Sequence, residues 1–141
     1  MAAVERTSAG LRFAGYASVF NRLDRGGDIV RPGAFRRSLE HAGGIPLLWQ
    51  HQSGRVIGTI ERLQEDARGL QVIGRLNDDE FGRRLSRELK QGTLSGLSFG
   101  YRVDAARSEA GRRQLDAVQL LEVSLVRNPM QPLARVHKIA G

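Results

Sequence analysis

The chain has 141 residues, 40% of them hydrophobic and 26% charged, the balance of one globular domain (1–141) with a single core rather than of a disordered segment. It contains no cysteine, which excludes disulfides, thiolate nucleophiles and Cys-based metal sites, and no apolar run approaches the roughly 20 residues that span a bilayer. The net charge of +7 is carried almost entirely by arginines spread along the chain, which fits a solvated basic surface; no basic stripe interleaved with aromatics and no nucleic-acid motif accompanies it.

In chain order, residues 11–20 alternate with the strand period of two, placing Leu11 and Phe13 on one face and Gly15 where a third side chain would stand. A turn is expected at 24–28, where Gly26-Gly27 adopts positive φ at little steric cost. Pro32 opens a short helix with Phe35 and Leu39 on one face and Gly43-Gly44 at its end. Strands are expected at 45–51, 56–64 and 69–76, the last two joined by a hairpin turn at 66–69. Asn77 or Asp78 caps a second helix with Phe81, Leu85 and Leu89 as its buried stripe and Gly92 as its C′ residue. Gly82 inside that helix costs up to about 1 kcal/mol relative to alanine.

Two further strands, 94–103 and 115–126, are joined by the charged stretch 104–113, and a proline-bounded segment, 129–132, leads into 133–139. At least six strands with two helices between them predict an α+β domain, mostly antiparallel and barrel-like. The opening ten residues lack the apolar centre of a signal peptide, and the expected setting is a cytoplasm.

Three polar residues stand out against this frame. On the strand around Ser98, the residues Leu97, Phe99, Tyr101 and Val103 share one face, so Ser98 points the other way, with Gly96 and Gly100 on its own face. Those glycines leave the hydroxyl in a bare slot that a substrate backbone can enter; the other reading is a bulge, or tight packing of a second element against this face. Gly96 to Gly100 also spells the GxSxG string of the hydrolase nucleophile elbow, but that elbow needs a sharp turn into a helix, and here the alternation runs on. Ser95 and Ser124 are the next serines in line, neither with glycine on both sides.

His51 closes the run IPLLWQH at a strand end, where an imidazole can be held in one tautomer as a general base, or can simply pack against Trp49. Glu122 lies among apolar neighbours in LLEVSLV, sharing a face with Ser124, and needs either an arginine or an imidazole N–H as partner. Three scattered histidines without HExxH spacing point to no metal, and nothing implies a cofactor. If Ser98 is a nucleophile in mid-strand, its neighbouring amides are committed to the sheet. The donors for an oxyanion are then expected from the turn after the last strand: the Arg127 and Asn128 amides, with the Arg127 side chain assisting, where Pro129 stops the pairing. The plain alternative is that Arg127 is a solvated strand end.

The stretches GYASVFNRLDRGGDIVRPGAF, IPLLWQH, GLQVIGRL, GTLSGLSFGYRV and LLEVSLVRNPMQPLARV occur in one order from about Gly15 to Val136. Together they resemble the HK97-type prohead proteases of tailed phages and gene transfer agents. The resemblance implies a fold related to the herpesvirus assembly proteases, a small β-barrel with surrounding helices. It implies His51 as general base, Ser98 as nucleophile and Glu122 as the group that orients the imidazole, with Asp116 and His137 as alternatives for that third position. It also implies a partner, the major capsid protein or its scaffold segment, with cleavage of that segment, inside the prohead in a bacterial host, and with self-association and self-cleavage as further expectations. A catalytically silent scaffold-binding protein of the same fold and a basic nucleic-acid-binding module are the competing classes.

Overall fold

The computed structural model describes residues 10–41 and 43–141; the opening stretch without a signal-peptide centre lies outside the described residues for positions 1–9, as does residue 42. Among the described residues the elements run β1 (Arg12–Val19), β2 (Asp28–Val30), α1 (Arg36–His41), β3 (Leu47–Trp49), β4 (Gln52–Glu65), β5 (Gly69–Leu76), α2 (Glu80–Gln91), β6 (Gly96–Glu109), β7 (Arg112–Val126) and β8 (Val136–Ala140).

The strands form one sheet in the order β2-β7-β3-β4-β5-β1-β8, with β6 paired along the other edge of β7. The architecture is α+β as expected, but the sheet is open and mixed rather than an antiparallel barrel. Both β2 and β3 lie parallel to β7, at 113–115 and 123–125 respectively. Between β6 and the final segment there is a single bridge, Gly96 to Arg135, with flanking backbone bonds from Leu97 to Ala134 and from Val136 to Ser95. Pro129 and Pro132 have no N–H to donate, so the approach to that contact cannot pair as a continuous strand.

Local chemistry explains most departures from the expected boundaries. Helix α1 begins four residues after Pro32, because Gly33 adopts a left-handed φ of 91° and the Gly33 and Phe35 amides are capped by the Glu65 carboxylate. Helix α2 is capped by Asp79, one residue later than expected, whose carboxylate accepts the Gly82 amide at 2.7 Å; Gly92 closes it in the left-handed region. Gly82 has a packing reason, since a Cβ there would run into the Asn77 carbonyl. The charged stretch 104–113 is an arm of β6 and β7 rather than a connection. Its tip is Ala110-Gly111, both at positive φ as a two-residue hairpin turn requires, and Arg107 bonds Glu109 and Asp116 along it.

The core gathers Phe13, Phe35, Leu47, Leu85, Leu97 and Leu125. Leu97 and Leu125 face each other across the β6–β7 ladder and are fully buried. Each contributes about 1.5–3 kcal/mol of transfer free energy, so a one-residue slip that expelled them would be strongly disfavoured. That locks Ser98 opposite Ser124 and Gly100 opposite Glu122. Immediately beyond, the register shifts: Tyr101 pairs with Leu120, leaving Leu121 as the extra residue of a bulge. Leu121 is accordingly exposed.

Candidate active site

His51 is placed by a strained turn. Trp49 pairs with Gln52 across the β3–β4 hairpin, so Gln50 and His51 are its two central residues, with φ of 53° and 61°. Such a turn needs positive φ at both positions, which asparagine and glycine adopt far more readily. Non-glycine residues held there cost roughly 1 kcal/mol or more each and persist where the surroundings fix them. The surroundings do so: the Gln50 amide donates to the Leu125 carbonyl at 3.0 Å, and the His51 amide to Ser124 Oγ at 3.1 Å. The Gln50 side-chain oxygen also accepts the Arg127 amide at 2.7 Å.

Glu122 reaches the imidazole over a glycine. Its carboxylate lies above Gly100, where a Cβ would sit 2.6 Å from Oε2. Oε2 is 2.5 Å from His51 Nδ1, and Oε1 accepts the Ser124 hydroxyl at 2.8 Å. Ser124, fully buried, thus joins the His51 backbone to the Glu122 carboxylate and closes a ring of three residues. With Nδ1–H directed at a carboxylate, the tautomer leaves Nε2 as the acceptor nitrogen. The Glu122 side chain is 13% exposed and the His51 side chain 42%, so the carboxylate is sheltered while the imidazole opens to solvent.

Ser98, 6% exposed, and His51 line one cavity of about 100 Å³ together with Ser18, Asp24, Tyr101 and Gln131. Burial pushes the Asp24 carboxyl up, against the Asp28 and Gly26 amides that donate to it. Burial, with the nearby Asp28 and Asp24 carboxylates, also raises the Tyr101 phenol. The slot beside Ser98 is not bare. Pro129 occupies the space beside Gly96, and Glu122 the space beside Gly100, so both glycines answer to tight packing.

The structure therefore brings Ser98, His51 and Glu122 to one place, and sends the alternatives elsewhere. Asp116 is engaged by Arg107, and His137 stacks on Tyr16 at 5.7 Å. Ser95 accepts from Arg135. Trp49 does not stack on His51; it meets Phe81 edge-on and carries the Arg127 guanidinium over its face at 5.2 Å.

Arg127 differs from its expected place. Its amide is taken by Gln50, its guanidinium is held by both oxygens of Glu88 on α2 at 2.7 and 3.1 Å, and neither Arg127 nor Asn128 lines the cavity. The ion pair with Glu88 and the stacking on Trp49 win over a turn toward Ser98. Ser18, Gln50 and Gln131 had no signal in the sequence, since each is an ordinary polar residue whose role depends on a partner far along the chain. Ser124 had one, because it shares the strand face of Glu122.

Comparison with known proteins adds the following. A family model described as Caudovirus prohead serine protease matches residues 1–140. The prohead protease of Enterobacteria phage HK97 is 37% identical over 94 residues, covering 64% of this chain; the chain spans only 42% of that relative's length. The protease of the herpesvirus KSHV, in a crystal structure with a hexapeptide phosphonate inhibitor, superposes with a TM-score of 0.66 at 15% identity, over 94% of this chain and 65% of the other. The capsid assembly protease of bacteriophage T4 superposes with a TM-score of 0.65 at 14% identity, over 85% of this chain and 84% of the other. At such identities the two structures establish a shared fold.

Proposed function

We propose that this chain, which belongs to the Caudovirus prohead serine protease family, is the serine endopeptidase domain of a capsid-maturation protease, with Ser98 as nucleophile, His51 as general base and Glu122 as the orienting carboxylate. The observation that carries the reading is the Glu122 carboxylate on His51 Nδ1 at 2.5 Å, with His51 and Ser98 on the wall of one cavity.

In this reading Ser98 Oγ attacks the scissile carbonyl while His51 Nε2 takes its proton, and Glu122 stabilises the imidazolium that results. Collapse of the tetrahedral intermediate breaks the C–N bond, and the proton passes from His51 to the leaving amine. A water activated by the same imidazole then hydrolyses the acyl-enzyme. Ser98 and His51 are not hydrogen-bonded to each other among the described residues, and the reading has them close around bound substrate.

In this reading the substrate is the major capsid protein, at its scaffold or N-terminal segment, with self-cleavage as a second event, inside the assembling prohead in a bacterial host; a family description that names a prohead protease supports it. Incubating the chain with its cognate major capsid protein, and measuring intact masses, tests this. The expected result is removal of a terminal segment by the wild type and none by His51→Ala. Stable binding with no mass change would leave a catalytically silent assembly protein of the same fold.

A further inference from the structure

Among the described residues one buried side-chain polar atom has no hydrogen-bond partner, the hydroxyl of Ser18. Ser18 is 1% exposed and lines the cavity that Ser98 and His51 also line. Buried hydroxyls are nearly always paired, and an unpaired one at a site implies a donor kept for something that arrives.

The backbone around Ser18 is arranged to hold it there. The β1–β5 register shifts between Tyr16 and Ser18, so Ala17 is an extra residue; bulges of this kind re-aim side chains beside active sites. The next residue, Val19, is clamped on both sides by the buried Gln131 side chain, whose oxygen accepts the Val19 amide at 2.5 Å and whose nitrogen donates to the Val19 carbonyl at 2.7 Å. The same nitrogen reaches the Arg22 carbonyl at 3.2 Å, which ties the end of β1 to the 129–132 segment across the cavity.

A second donor faces the same side. Leu97 donates to Ala134 on the edge of β6 away from β7, so Phe99, two residues on, directs its N–H to that edge as well. Phe99 itself lines the cavity. The Arg127 amide, by contrast, is already committed to Gln50.

We propose that Ser18 is a further catalytic residue, its hydroxyl donating to the substrate carbonyl oxygen as that oxygen becomes an oxyanion, with the Phe99 N–H as the second donor. The inference rests on Ser98 as the nucleophile. As Ser98 Oγ bonds to the carbonyl carbon, the π pair moves onto the oxygen, and a hydroxyl already desolvated meets that charge without reorganisation.

The test uses the full chain and an alkyl fluorophosphonate. In this reaction Ser98 Oγ bonds to phosphorus, fluoride leaves, the proton goes to His51, and the phosphoryl oxygen takes the place of the oxyanion. Mass spectrometry locates the label and gives its rate. The expected result is labelling of Ser98 in the wild type and a rate about 10²-fold lower in Ser18→Ala, with an unchanged or higher melting temperature because an unpaired buried hydroxyl is gone. Ser18→Cys, close in size and a weaker donor, is expected between the two, and carries the comparison if Ser18→Ala does not fold. Labelling of folded Ser18→Ala within twofold of wild type, or Ser18→Cys at the wild-type rate, would overturn the proposal. A wild type that takes no label at Ser98, or a Ser98→Ala chain labelled as fast as the wild type, ends the nucleophile reading itself, a separate failure seen without any Ser18 variant.

Discussion

Glu122 stands directly opposite Gly100 on the β6–β7 ladder, and its carboxylate crosses the space a side chain at position 100 would fill on its way to His51. The relationship makes a glycine a requirement of the Glu122–His51 contact. Gly100→Ala is expected to push the carboxylate off Nδ1 and lower turnover about tenfold or more, since misplacement by an ångström is costly in a catalytic constellation. Melting temperature and rate, measured on one preparation, separate this from simple misfolding: the rate per folded molecule falls.

Glu122→Gln keeps the shape and removes the charge. A neutral amide cannot stabilise imidazolium to the same degree, so turnover is expected to fall about 10²-fold or more while the fold survives. If the carboxylate served only structure, the melting temperature would drop and the rate per folded molecule would stay.

Ser124→Ala removes the hydroxyl that accepts the His51 amide and donates to Glu122. Both groups would lose a buried partner, with a stability cost of about 1–3 kcal/mol. Turnover is expected to fall about tenfold with KM little changed, because the residue positions the base without touching substrate. Equilibrium denaturation together with steady-state kinetics checks both parts.

The pH dependence of stability has a named source at the other end of β7. Arg113 donates two hydrogen bonds of 2.8 Å to Asp28 and holds its carboxyl below the usual range. A carboxyl lowered in the folded state contributes stability that is fully present above its unfolded value near pH 4 and is lost as pH falls through the lower folded value. Asp28→Asn is therefore expected to cost about 1 kcal/mol at pH 7, a modest figure because Arg113 is half-exposed, and to flatten the decline of melting temperature below about pH 4. A melting series from pH 2 to 7 on both proteins shows it.

The elements that sequence periodicity revealed are those whose signals are local. Leu85, Leu89 and Gly92 marked α2, and the alternation through Leu97 and Phe99 marked β6, because burial and chain conformation act within a few residues. The mixed sheet was hidden, since the parallel pairing of β2 and β3 with β7 depends on residues some 80 positions apart. The site divides the same way. Ser98, His51 and Glu122 were visible as polar residues in apolar strands, but the reason for Gly100 was not, because its neighbour in space is a carboxylate from another strand. Arg127 was misplaced for want of Glu88, which no spacing connects to it. Ser18 looked like one serine among several until its hydroxyl was seen to lack a partner.

The central claim is that Ser98 supplies the nucleophile, and the rate of capsid-protein cleavage by Ser98→Ala, per folded molecule, tests it most directly. The hydroxyl lies on a strand pinned by Leu97 and Leu125, so its loss is expected to leave the melting temperature within a few degrees of wild type. Turnover is expected to fall by about 10³-fold or more, as when a member of a catalytic triad is removed. A folded Ser98→Ala chain that cleaves at the wild-type rate would contradict the account.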